Sequence, residues 1–431
     1  MEKSIKTNKL FVASCLALLV TALSFGIRAG IMNNLMVQFH IDAKQMGLIA
    51  GTAFWGFPLA IIIGGMIVDF VGMKRLLLLA CILHLFGIIF TIYSTGFFSL
   101  YISTLFIGIA NGLVEAACNP LVATIYPNNK TTKLNHFHLW FPGGIVVGTL
   151  ISFGMTSIGL GWQLQMATMI IPTLIYGYLF TQLDFPPTER VSSGVSTKDM
   201  YKAVVTPLFI FVFICMFGTA ITELFTNQWV GVLLQNVTSS AILVLALVAA
   251  VQVVGRAFAG PVVHRISPAG LLLASAIVAT IGIYLLATLS GGAIFIAAII
   301  FGIGVAYFWP TMIGFVAENI PKSGALGLNL LGGAGMLAVS IYMFFMGGYY
   351  DNLVAAALPA GSSIDAYRSA APGTAEAAAY AQAQLTAGPQ VIKATNIIPL
   401  ILVFAFLFLF IYMRNKKRKA VAPLSSAVPS V

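Results

Sequence analysis

Charge is what this sequence lacks. Asp, Glu, Lys and Arg together make up 8% of its 431 residues, where soluble domains carry roughly a quarter, so a water-soluble globular fold is excluded. Acidic residues are the scarcest, 12 against 22 Lys and Arg. Cysteine is scarce too. Cys15, Cys81, Cys118 and Cys215 all fall inside apolar runs, which excludes a disulfide framework and leaves them as small packing residues. The sequence also has no P-loop, zinc-ligand spacing or nucleophile elbow. An enzyme reading therefore has no foothold, and neither has a channel, since no carbonyl filter or ring-forming charge pattern is present.

What is there is hydrophobicity, 59% of residues with a mean hydropathy of +0.98. A helix needs about 20 apolar residues to cross a bilayer, and lipid obliges each crossing to satisfy its own backbone. The runs predict an all-α membrane protein with twelve spans: 10–37, 46–68, 76–94, 98–123, 134–157, 163–183, 206–231, 240–260, 268–288, 292–315, 325–347 and 395–413. The first run is too long for a signal peptide and has no small-residue cleavage site, so it is read as a retained helix.

With an even number of spans both ends share a side. Lys3, Lys6, Lys9, Lys74, Arg75, Lys130, Lys133, Arg190, Lys198, Lys202, Arg265, Lys322 and the tail from Arg414 to Lys419 lie on it, against Lys44, Arg368 and Lys393 opposite. The positive-inside rule then puts both termini in the cytoplasm, with a bacterial inner membrane as the expected location. The net charge of +10 follows from this asymmetry, so no nucleic-acid partner is expected. The expected partners are the lipid bilayer and a small-molecule substrate, with the chain acting as a monomer.

The polar stretch "DFPPTERVSSGVSTKDMYKAV" divides the chain. Residues 1–183 form a predicted N-terminal six-helix bundle and 184–205 a cytoplasmic linker. Residues 206–414 form a C-terminal six-helix bundle with an external Ala-rich loop at 352–390, and 415–431 a basic tail. The halves echo one another at an offset near 195: "GGMIVDFVGMKR" and "AGPVVHRIS" close the second and eighth spans, and Arg28 corresponds to Glu223. Two pseudo-symmetric bundles around a midplane site are the usual transporter plan. Composition makes the Ala-rich loop a loosely ordered connection, with a surface helix as the alternative.

Several residues carry the chemistry. Asn111, Glu115 and Asn119 are spaced by four and share one helical face. Glu115 facing lipid would be expensive, so that face should line the interior. Burial disfavours the charged form of a carboxyl group, and such a group can take up and release a proton as its surroundings alternate. The alternative is a permanent pair with a cation such as Arg28. Arg28 is itself a cation at membrane depth; it could grip a carboxylate or phosphate bidentately or neutralise Glu115 or Glu223. His136 and His138 point to nearly opposite sides of span 5, and the deeper His138 is the better candidate, a packed hydrogen-bonded ring being the alternative for each. No metal site follows from them. Trp229, Tyr307 and Trp309 offer rings for the apolar face of a sugar, with Asn227, Gln228 and Asn329 for its hydroxyls; helix packing is the alternative. Arg256 reads as a snorkelling residue or a cap on neighbouring carbonyls.

Gly65, Asp69, Gly72, Lys74 and Arg75 form G-x-x-x-D-x-x-G-x-K-R after span 2. This resembles the signature loop of the major facilitator superfamily, with Phe70 where the family has a basic residue. The resemblance implies a loop whose charge contacts break and re-form as the bundles rock. "GLVEAACNP" further resembles the fourth helix of the fucose, galactose and hexose proton symporters, "KLNHFHLWFPGG" their fifth and "ITELFTNQWVG" their seventh. That resemblance implies Glu115 as proton carrier, with Asn119 beside it, and Glu223 with Trp229 in the second bundle. Where those symporters often carry an Asp in helix 1, this chain has Asn33. The expectation is proton-coupled uptake of a sugar or sugar acid with no cofactor beyond the coupling ion. An organic-anion transporter or an exporter of the same superfamily is the alternative.

Overall fold

The computed structural model describes residues 5–41, 43–227 and 241–421. These residues are helical throughout, with eleven helical stretches long and apolar enough to cross a membrane and one shorter apolar helix, Val244–Ala257. We number the crossings α1 (Thr7–Phe39), α2 (Ala43–Val71), α3 (Met73–Ile92), α4 (Phe97–Ile125), α5 (Lys130–Ser157), α6 (Trp162–Gln182) and α7 (Pro207–Phe225). The second half continues with α8 (241–266, bent at Phe258), α9 (268–288), α10 (Gly291–Asn319), α11 (Pro321–Ala357) and α12 (Ile397–Val421).

The turns follow from residues that cannot continue a helix. Gly72 separates α2 from α3 at φ +90°, a conformation open to glycine at no steric cost. Ser267 takes φ 65°, ψ 160° just before Pro268, and this reverses the chain between α8 and α9. Within the first half α1 packs on α4, α5 and α6, and α2 and α3 on α4; within the second α9 packs on α10 and α12, α8 on α10, and α7 on α11; the halves meet through α2 on α11 and α5 on α10. Large apolar side chains such as Phe86, Phe153, Phe217, Phe344 and Phe404 are exposed around the outside, as a lipid-facing surface requires.

One expectation fails. The Ala-rich segment, on the face opposite the termini, is built rather than loose: Ile364–Arg368 and Ala375–Thr395 are helices, and the second packs on α9 and α11 through buried Ala383, Ala387 and Val391. Gln384 donates to the Tyr350 hydroxyl at 2.9 Å, Tyr342 to Thr395 at 3.1 Å, and Arg368 pairs with Asp351 at 2.7 Å. Alanine's helix propensity, with one small apolar face for close packing, accounts for the difference.

Candidate functional site

Three prolines position the site. A proline inside a helix removes the N–H that would bond the carbonyl four residues earlier, so Pro120, Pro142 and Pro310 release the carbonyls of Ala116, His138 and Ala306. A buried orphan carbonyl must find another donor, and all three are met by side chains of the second half. Asn329 on α11 donates to Ala116 O at 2.9 Å. Arg256 on α8 donates through Nη1 to His138 O at 2.9 Å and through Nε to Ala306 O at 2.6 Å. Its Nη2 pairs with Glu223 Oε1 at 2.5 Å.

The result is one buried chain of polar groups joining the two halves. Glu115 accepts from Asn119 at 3.2 Å, and Asn119 Oδ1 meets His138 Nε2 at 2.9 Å. The His138 carbonyl leads to Arg256, and Arg256 to Glu223, where Gln252 adds a bond at 3.4 Å. Glu115, Asn119, His138, Glu223, Gln252 and Arg256 are each at most 3% exposed. Trp309, at 6%, brings its indole to Glu115. Glu223 itself lies in a π-helical turn, Ile221–Phe225, a local widening often found at functional sites. The site thus holds two carboxyl groups and one guanidinium, and the guanidinium is spent on Glu223. Among the described residues Glu115 hydrogen-bonds only to neutral groups, and Arg256 acts on it through space without a direct pair.

Other expected residues stand elsewhere. Arg28 pairs with neither carboxylate: it lies over the Phe25 ring at 5.1 Å. The cation that meets Glu223 is Arg256, whose carbonyl-capping role is present but which is no snorkelling residue. Asn111 lies one turn from Glu115 on the same helix, but its amide is engaged by other helices and makes no bond to that carboxylate. It donates to Ser24 at 3.1 Å and accepts from His84 at 2.8 Å, whose other nitrogen meets the Tyr176 hydroxyl at 2.8 Å. Tyr307 packs with Ala259, Val263 and Leu271 rather than toward the carboxylates. Asn329 is fully buried in the seam between halves. Asn227 ends the described part of α7, with Oδ1 buried and unbonded. Gln228 and Trp229 lie outside the described residues, as does the side chain of Asn33.

Sequence reasoning missed His84, Gln252 and the partnership of Arg256 with Glu223. A signal for the last was present: an intramembrane Arg together with Pro142 and Pro310, each leaving a carbonyl in need of a donor.

The face that bears the termini is shut. Every hydrogen bond between the two halves, among the described residues, lies from this site toward that face: Lys130 to Ala317 O at 3.1 Å, Thr131 to Glu318 at 2.7 Å, Asn135 to Thr311 at 3.4 Å, and the bonds of Arg256 and Asn329. A Cβ on Gly65 would come 2.5 Å from Asn329 Cβ, so the seam closes only around glycine there. The linker adds a strap. Arg190 pairs with Asp69 at 2.5 Å, Thr188 donates to the same carboxylate at 2.5 Å, and Glu189 takes Lys130 at 2.7 Å. Asp69 therefore answers to the linker and not to Lys74 or Arg75. Lys74 bonds the carbonyls of Thr181 and Leu183 at 2.9 Å, at the end of α6, and Arg75 reaches Val71 O at 3.5 Å.

The chain is 24% identical over 193 residues to a D-xylose transporter of Levilactobacillus brevis, a stretch covering 44% of this chain and 42% of that one. It spans less than half the length of the curated relatives it matches first. In three dimensions it superposes on a proton:xylose symporter bound to 6-bromo-6-deoxy-D-glucose with a TM-score of 0.72 at 14% identity, covering 92% of this chain and 96% of that one. For the fucose:proton symporter of E. coli the TM-score is 0.66 at 14% identity, covering 91% and 98%. These likenesses show the fold. The family model described as Major Facilitator Superfamily matches residues 14–343, and the protein, a multi-pass membrane protein, belongs to that superfamily.

Proposed function

We propose that the protein is a secondary transporter that takes up a sugar-class solute together with a proton by alternating access. One observation carries the reading: two buried carboxyl groups and a single guanidinium join one polar chain between the bundles, with the guanidinium paired to Glu223 and Glu115 hydrogen-bonded only to neutral groups. Glu115, bonded only to neutral groups, is the proton carrier, and Glu223–Arg256 the pair that answers it across the seam. The relatives described as sugar transporters and sugar symporters support the solute class.

The basic asymmetry of the loops supports a cytoplasmic position for both termini in this reading. The shut face is then the cytoplasmic one, and the site loads from outside. Proton and solute together favour the state in which the strap opens, because coupling requires both ligands to bias one conformational equilibrium. Proton loss to the cytoplasm charges Glu115, weakens solute binding and resets the seam.

Uptake of labelled D-xylose and other monosaccharides into proteoliposomes under an imposed pH gradient tests this. Accumulation above equilibrium that collapses with a protonophore is expected. Entry that ignores the gradient would overturn the coupling and leave a uniporter.

A further inference from the structure

On the side of the site away from the shut face, polar groups without partners are of two opposite kinds. On α1, Arg28 is partly exposed, and its guanidinium has the Phe25 ring at 5.1 Å but no hydrogen bond or ion pair among the described residues. It therefore presents a planar fork of unspent donors. On α7, Glu223 Oε2 and Asn227 Oδ1 are buried acceptors with no hydrogen bond. They sit at successive turns of that helix, and Asn227 continues the face of Glu223. An unpaired cation at membrane depth is costly and marks function, and buried acceptors left open demand donors.

Depth relates Arg28 to Glu115, the first carboxyl group of the polar chain. Asn111 on α4 bonds Ser24 on α1 at 3.1 Å, which fixes those helices against each other. Arg28 lies one turn from Ser24 away from the shut face, and Glu115 one turn from Asn111 toward it. At 1.5 Å per residue their backbones are about 12 Å apart along the membrane normal, and with no direct pair formed between them the separation suits a molecule lying in between.

We propose that the solute is a hydroxy-carboxylate, a sugar acid rather than a neutral sugar. Its carboxylate occupies the Arg28 fork, and its hydroxyls donate to Glu223 Oε2 and Asn227 Oδ1. A neutral sugar would leave the guanidinium unanswered; a plain carboxylate without hydroxyls would leave both acceptors open. The inference rests on the transport reading above and narrows its substrate class.

The test is calorimetric titration of the purified full-length protein in detergent with D-glucuronate, D-galacturonate and D-gluconate, beside D-glucose, D-galactose and D-xylose. At least one acid should bind while its neutral counterpart binds at least tenfold more weakly. Arg28→Gln should weaken the acid by about 30-fold or more, the loss expected on truncating one partner of a buried charge pair. Arg28→Lys should keep part of the affinity, because it restores charge but not the fork. Thermal unfolding and gel filtration check the variants, and if Arg28→Gln does not fold, the acid-to-neutral ratio on the unaltered protein decides. Neutral sugars binding as well as or better than the acids, or acid binding unchanged in folded Arg28→Gln, overturns this inference alone. No binding by either set overturns the sugar-class reading and this inference with it.

Discussion

Replacing Arg190 by Gln should unlatch the face that bears the termini. In the shut state the Asp69 side chain is 2% exposed and its one cation is Arg190, itself 7% exposed. Removing that cation leaves a buried carboxylate with Thr188 as its remaining side-chain partner, and breaking such a pair costs about 3–5 kcal/mol. Opening the face would return Asp69 to water and cancel most of that cost, so nearly all of it falls on the shut state alone. At 1.36 kcal/mol per tenfold, the balance between open and shut should move by a factor of at least about a hundred.

Leu328→Cys provides the readout. Leu328 is 4% exposed on α11 and lines the small gap that also touches Glu189 and Pro120. The four native cysteines are buried and would be replaced by serine or alanine. Reaction of this position with an impermeant maleimide added from the termini side follows the open fraction when opening is fast. The rate should climb steeply in Arg190→Gln and fall back in Asp69→Asn/Arg190→Gln, which has no stranded charge. A rate unchanged in Arg190→Gln, or one equally raised in the double variant, would refute the strap.

Two further outcomes follow from the buried network and from the backbone. Arg256→Gln strands Glu223 and two proline-released carbonyls and should cost about 3–5 kcal/mol, read as a lowered unfolding midpoint in detergent; Glu223→Gln/Arg256→Gln should recover at least about 1 kcal/mol of the summed losses, and strict additivity would contradict the pairing. Ser267 holds a conformation that is nearly glycine's alone, worth about 1–3 kcal/mol of strain; Ser267→Gly should therefore raise the midpoint after a smaller entropic loss, and a lower one would show that the hydroxyl matters more than the backbone.

Hydropathy made the crossings legible because a lipid solvent leaves helices as the economical solution for each apolar run. The face shared by Glu115 and Asn119 was legible for the same local reason: helical spacing of four. Asn111 has the same spacing from Glu115, but its amide is taken by His84 and Ser24 on neighbouring helices, which spacing within one helix does not report. The partners of Glu223 and Asp69 were not legible from spacing, since Arg256 is 33 residues and Arg190 121 residues away along the chain. Those pairings depend on how helices cross, and periodicity within one helix does not report it. The Ala-rich segment misled by composition, because alanine serves both a floppy connection and a close-packed helix.

The most direct measurement places the proton. Proteoliposomes containing the unaltered protein and Glu115→Gln would be given a transported solute, and external pH and solute exchange recorded in parallel. Loss of solute-driven alkalinisation in Glu115→Gln, with exchange of the same solute retained, is the expected result. Alkalinisation that persists in the variant would contradict the assignment of the proton to Glu115.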